Sequence, residues 1–150
     1  MDAYDFRALC YSAAFAAETR FSSYSYDIGD SPAKRQLAFM IRGEVSSLLE
    51  EVIYSLINEL FGHDDEKELS IPSDLFRNKA CDVFKNIVNK RAERLGVPVD
   101  QLDNKNILGS AFGIWGVFVS IKLNDALGIK EGDVSFPSAE ELFGETPPGL

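Results

Sequence analysis

The sequence predicts an all-α fold: a bundle of four main helices, at about 2–21, 31–61, 74–95 and 104–127, followed by a short acidic tail. Three observations carry this expectation. Apolar residues recur at helical spacing through four long stretches. Helix stop and start signals fall at their ends, with Ser31-Pro32 opening the second stretch and Gly62, Gly96-Val97-Pro98 and Gly128 closing the second, third and fourth. Residues 107–121, ILGSAFGIWGVFVSI, carry no charge at all and, apolar on every side, read as a buried helix.

In the first helix Phe6, Cys10, Ala13, Ala17 and Phe21 make one stripe, with Tyr4, Ala8, Tyr11 and Phe15 beside it. Residues 22–30, SSYSYDIGD, break the period, and their two tyrosines are expected to pack over the core. The second helix carries Leu37, Ile41, Val45, Leu48, Val52, Leu56 and Leu60, widened by Leu49, Ile53 and Ile57, with Gly43 as its sole interruption. About 30 residues make a rod of roughly 45 Å against a radius of gyration of about 15 Å for a domain of this size. Such a helix must cross the molecule, bend at Gly43 or protrude into a partner, so a homodimer through residues 31–61 is expected.

The third helix, capped by Ser73 or Asp74, buries Phe76, Ala80, Val83, Phe84, Ile87, Val88 and Leu95. Arg77, Lys79, Lys85, Lys90, Arg91 and Arg94 give the segment 77–94 a charge of +4, while the rest of the chain carries −13. In the fourth helix, capped by Asp103 or Asn104, Gly109, Gly113, Gly116 and Ser120 share a narrow arc. That bare edge invites another helix to approach backbone to backbone. Phe112, Trp115 and Val119 cover a second face, and Ile114, Phe118 and Ile121 a third, so the other helices are expected to wrap this one. Ser138-Ala139-Glu140-Glu141 fits a capping box for one turn through Phe143, inside an acidic Pro/Gly-containing segment 131–150 that either docks on the body at 1–130 or frays.

A chain of 150 residues is one domain by length, and its net charge of −9 argues against general nucleic-acid binding. The uncharged run is shorter than the about 20 residues of a membrane span, and Asp2, Asp5 and Arg7 stand where a secretory signal would begin. Cys10 and Cys81 are too few for a disulfide scaffold and read as buried thiols in a reducing cytoplasm.

Chemistry is hard to find in these residues. His63 is the single histidine, which rules out paired Glu-x-x-His or His-rich metal sites and leaves neither cysteine with a second histidine to activate it. No phosphate-binding loop or nucleophile elbow occurs. All-α nucleotide pyrophosphohydrolases hold magnesium with Glu-x-x-Glu and Glu-x-x-Asp pairs on neighbouring helices. Here Glu44 and Glu51 are seven apart, with Glu50 and Glu59 displaced from their face, a departure from that pattern. No cofactor is expected.

The leading expectation is therefore a small acidic non-enzymatic interaction module, such as a stoichiometric inhibitor, an immunity or anti-defence protein, or an assembly subunit. Its partner would be another protein, one with a basic surface for the acidic loop. Candidate contacts are Asp64, Asp65, Glu66 and Glu68 in that loop, Lys79, Lys90 and Arg94 on the basic helix, and Glu140, Glu141 and Phe143 in the tail. A second expectation is a nucleic-acid-binding regulator, because Ala92 to Val97 and Leu102 have the spacing of a helix-turn-helix within 77–102; the greasy residues after the turn suit base edges poorly. A third is a helical hydrolase with magnesium on the 31–61 helix.

Overall fold

The computed structural model describes residues 1–26, 31–102 and 105–143. Its helices are α1 (Ala3–Tyr26), α2 (Pro32–Phe61), α3 (Ser73–Leu95), α4 (Lys105–Ala126) and the short α5 (Ala139–Phe143), with one 3₁₀ turn at Val99–Gln101. No strand occurs among the described residues. The chain is an all-α bundle, as its periodicity predicts. The expected cap at Asp103 or Asn104, the side chains of Phe21, Tyr24, Tyr26 and Leu37, and residues 144–150 of the acidic segment lie outside the described residues.

Consecutive helices run antiparallel. Phe6 near the start of α1 meets Phe61 at the end of α2 with ring centroids 5.8 Å apart. Phe76 and Phe84 on α3 meet Trp115 and Phe112 on α4, at 5.5 and 4.2 Å. Each helix packs on its neighbours in the order α1, α2, α3, α4 and back to α1, while α4 also touches α2 across the diagonal. Every other helix therefore touches α4. The aromatic rings link into one buried chain from Phe61 through Phe6, Phe76, Trp115 and Phe112 to Phe84. Pairs at these separations add about 0.5–1.5 kcal/mol each beyond their buried area. The Trp115 indole N–H donates to the carbonyl oxygen of Cys10 at 3.0 Å, which satisfies the one polar atom this ring takes into the core. Ala13, Ala14 and Ala17 lie buried on the same helix and let it approach closely.

The stops follow the sequence. Gly62, Gly96 and Gly128 all adopt positive φ, which L side chains resist, and Gly96 and Val97 return their N–H groups to Glu93 and Ala92. Helix α2 opens at Pro32, with the Ser31 carbonyl accepting from the Arg35 N–H at 3.0 Å, and passes Gly43 without interruption.

Several expectations need correction. Helix α1 extends to Tyr26, beyond the apparent break at Ser22. The cap position of α3 is Pro72, which has no side-chain donor or acceptor; Asp74 instead accepts from the adjacent Leu75 N–H, and the Ser73 hydroxyl donates to the Asp133 carbonyl at 3.4 Å. Leu95, placed on the apolar face, is exposed where the helix ends, and Cys81 is only half-buried. Helix α4 is not wrapped all round: Ile114 and Phe118 are half-buried and Ile121 is 42% exposed.

The bare edge of α4 is met at Gly109 and Gly116 by the chain's own C-terminal segment rather than by a main helix, while Gly113 between them borders a groove. A Cβ on Gly109 would stand 2.7 Å from that of Ala139, and one on Gly116 would enter the ring of Phe136. Phe136 also lies 5.8 Å from Phe76 and 5.4 Å from Phe112, and Phe143 lies 5.8 Å from Phe84. The segment is anchored upstream by Asp133, whose carboxylate accepts from Arg77 at 3.2 Å and from the Ser135 hydroxyl at 2.6 Å. Residues 131–143 thus lie across α3 and α4, and the capping box forms as expected, with Glu141 N–H on Ser138 Oγ at 3.2 Å and Ser138 N–H on Glu141 Oε1 at 3.3 Å.

Candidate functional site

The side of the bundle opposite this segment is formed by α1 and α2, and there aromatic rings face solvent. At 100° per residue Tyr4, Tyr11 and Phe15 fall within about 40° of one another, on the far side of α1 from Phe6, Ala13 and Ala17. Tyr4 is 76% exposed, Phe15 71% and Tyr11 43%. They are the second apolar stripe of the sequence; the first, Phe6, Cys10, Ala13 and Ala17, turns inward as its spacing predicts, and the second faces solvent. Helix α2 adds Phe39, Met40 and Tyr54, with Phe39 77% and Tyr54 66% exposed. Since Phe6 meets Phe61, counting seven residues inward along both helices places Tyr54 level with Ala13, between Tyr11 and Phe15. Tyr54 also lies at nearly the same angle around α2 as Phe61, so it stands on the α1 side.

The face is long and of mixed charge. Over the described side chains of α1, residues 3–20, it extends about 27 Å, and two helices about 10 Å apart give it a width of about 20 Å, hence about 500 Å², with the rings from Tyr4 to Phe15 on a stretch about 16 Å long. Arg7 and Glu18 border the ring stripe on one flank of α1, and exposed Glu50 on α2, level with Ala17 by the same count, lies across from Glu18. The largest apolar patch of an ordinary monomer is about 300–600 Å² and is often functional.

The residues singled out from sequence do not converge on one place. Asp64, Asp65 and Glu66 are exposed in the loop after α2, with Asp64 Oδ1 accepting from the Glu66 N–H at 3.1 Å. Glu68 pairs with the Met1 amino group at 2.8 Å and so closes the α1 end of the bundle. Lys79, Lys90 and Arg94 are exposed on α3, whereas Arg77 and Arg91 of the same helix pair with Asp133 and Glu51, each at 3.2 Å. Part of the basic helix therefore docks on the chain's own acids. Glu140 is exposed, Glu141 is held in the capping box, and Phe143 packs half-buried on Phe84.

Two larger grooves lie elsewhere among the described residues. One of ≈ 650 Å³ runs beside Gly113, between Arg20, Ile114 and Phe118 and the docked segment. The other, ≈ 560 Å³, is lined mainly by polar side chains of α2 and α3, among them Asn58, Glu59, Asp82, Lys85 and Asn89. Among the described residues, no group of three or more His, Cys, Asp or Glu side chains is placed to hold a metal ion. Burial pushes the Cys10 thiol far above its ordinary range; the half-buried Cys81 is pushed up to about 11, first by burial and then by the neighbouring Asp82 charge. Both thiols are thereby kept protonated and poor nucleophiles at neutral pH. Helix α4 is long and apolar enough to cross a membrane by length and composition, and half of the qualifying window is buried inside the bundle. No family model, curated protein or solved structure matches the chain.

The aromatic face is what sequence reasoning missed. Its signal was visible as the second apolar stripe on α1, but periodicity alone does not say what covers a second stripe.

Proposed function

We propose that the chain is a non-enzymatic protein-interaction module that docks another polypeptide on its α1/α2 face. The observation that carries the reading is the set of exposed rings Tyr4, Tyr11, Phe15 and Tyr54 on one side of an otherwise well-packed bundle. Tyrosine and phenylalanine supply large, stiff contact area, and aromatic rings are enriched where proteins meet. The polarity of the opposite side supports this: the α3/α4 side is occupied by the chain's own segment, and its apolar rings are already matched. Inhibitors, immunity or anti-defence proteins and assembly subunits all act through such a face. The exposed acids Asp64, Asp65 and Glu66 offer a secondary contact for a basic partner.

A test compares the wild type with a triple variant, Tyr4→Glu, Phe15→Glu and Tyr54→Glu, after circular dichroism has established that both are folded. Crosslinking in the source cell should join the wild type to a polypeptide, of its own kind or foreign, through residues of α1 and α2, and the variant should lose that product. Crosslinks that survive the triple change, or that map only elsewhere, would sink the reading.

A further inference from the structure

We infer that the occupant of the α1/α2 face is a second copy of this chain, seated about a two-fold axis with α1 antiparallel to its counterpart. The inference rests on the reading just given, that this face is a docking surface, and identifies what docks.

The charges bordering the rings favour a copy over a foreign acidic or basic partner. Arg7 and Glu18 stand within about 20° of one another around α1, so they lie on the same flank, and they are separated along the helix by about 16 Å. A two-fold axis perpendicular to the helix keeps flanks together and reverses direction. Arg7 of one copy then meets Glu18 of the other, and the same pairing recurs on the far side of the axis. A uniformly charged partner would gain from one of these residues and lose from the other.

The rings agree with the charges. An axis midway between Arg7 and Glu18 crosses α1 between Ser12 and Ala13, the level at which Tyr54 projects from α2. Tyr54 would therefore meet its own symmetry mate, while Tyr11 of each copy would face Phe15 of the other. Arg20, on the opposite flank of α1, lines the groove beside α4, so the flank bearing Arg7 and Glu18 is the one toward α2; the same operation lays the two α2 helices against each other, and the whole face is used. Its area of about 500 Å² per copy, about 1,000 Å² in all, reaches the about 1,000 Å² that a specific interface should clear. The chain's net charge of −9 opposes association at long range, and that opposition is screened within about 8 Å at physiological salt.

Sedimentation equilibrium over a concentration series of the full chain tests this. The wild type should dimerise. Phe15→Glu and Tyr54→Glu should each abolish the dimer while leaving thermal unfolding of the monomer unchanged, since both side chains are solvent-exposed. Arg7→Glu and Glu18→Arg alone should each weaken dimerisation about tenfold, and the two together should restore it, because the swapped charges meet again across the axis. A strict monomer, a dimer indifferent to Phe15→Glu and Tyr54→Glu, or a double swap no better than the single ones would overturn the inference. A strict monomer that still crosslinks a foreign protein through α1 and α2 would overturn the two-fold pairing alone and leave the interaction reading standing.

Discussion

Single residues on α4 have opposite tolerances although sequence treats them alike. Gly113 has nothing within 4 Å of the place where a Cβ would go, so Gly113→Ala should stabilise the protein by up to about 1 kcal/mol, the helix-propensity difference. At Gly116 the same methyl would displace the Phe136 ring from Phe76 and Phe112, and at Gly109 it would push on the Ala139 backbone. Each of those changes should cost about 1–3 kcal/mol, as overpacking does. Denaturant melts of the three variants check this, and equal effects at all three sites would contradict the seating of residues 136–139. The cysteines divide in a similar way. In the native protein a thiol reagent at mildly alkaline pH should modify half-buried Cys81 slowly and Cys10 only after unfolding, as mass spectrometry of quenched samples would show. Both thiols hold their protons more tightly when folded, so their contribution to stability is complete below the unfolded value of 9.0 and is lost as pH rises through the folded values.

At the scale of elements, the C-terminal segment is held by Asp133 as well as by rings. Hydrogen bonds from Ser135 and the nearby Arg77 hold its carboxyl below the ordinary value of 3.8. A depressed folded value means that the anchor acts fully at neutral pH and is lost as pH falls through the folded value. Hydrogen-exchange protection in residues 131–143, taken relative to the intrinsic rate at each pH, should therefore fall in acid before that of the main helices, and Asp133→Asn should show lower protection already at pH 7 with little further response to acid. The four helices, their glycine stops and the capping box at Ser138 were all legible in the sequence, because each is a local signal. The partner of the glycine edge was not, since nothing local to Gly109 or Gly116 points to residues 136 and 139. The inward stripe of α1 was legible too, since Phe6, Cys10, Ala13 and Ala17 are all buried as their spacing says. What was not legible is that the neighbouring stripe of rings, Tyr4, Tyr11 and Phe15, stays in solvent, because spacing shows that a second stripe exists but not what covers it. The small residues of the inward stripe let α1 approach closely enough for the Trp115 N–H to reach the Cys10 carbonyl.

The whole molecule has two unlike sides, and the difference has an energetic consequence. On α3 and α4 the aromatic chain is finished by Phe136 and Phe143 from the chain itself; on α1 and α2 the rings are left to solvent. Only the first set contributes to the stability of the isolated monomer. Removing residues 131–150 uncovers Phe112, Phe76 and the glycine edge and forfeits the burial of two phenylalanines, about 1.5–3 kcal/mol each at full burial. For 150 residues about 1 kcal/mol moves Tm by about 3 °C, so truncation should lower Tm by about 10 °C and allow a hydrophobic dye to bind. Changing Tyr4, Phe15 and Tyr54 together to serine should leave the monomer's Tm within about 5 °C, because surface substitutions stay within about 0.5 kcal/mol each. Calorimetry at concentrations low enough to keep both proteins monomeric makes the comparison. If the serine variant melted as early as the truncated chain, the α1/α2 rings would be part of the fold and not a surface held open for a partner.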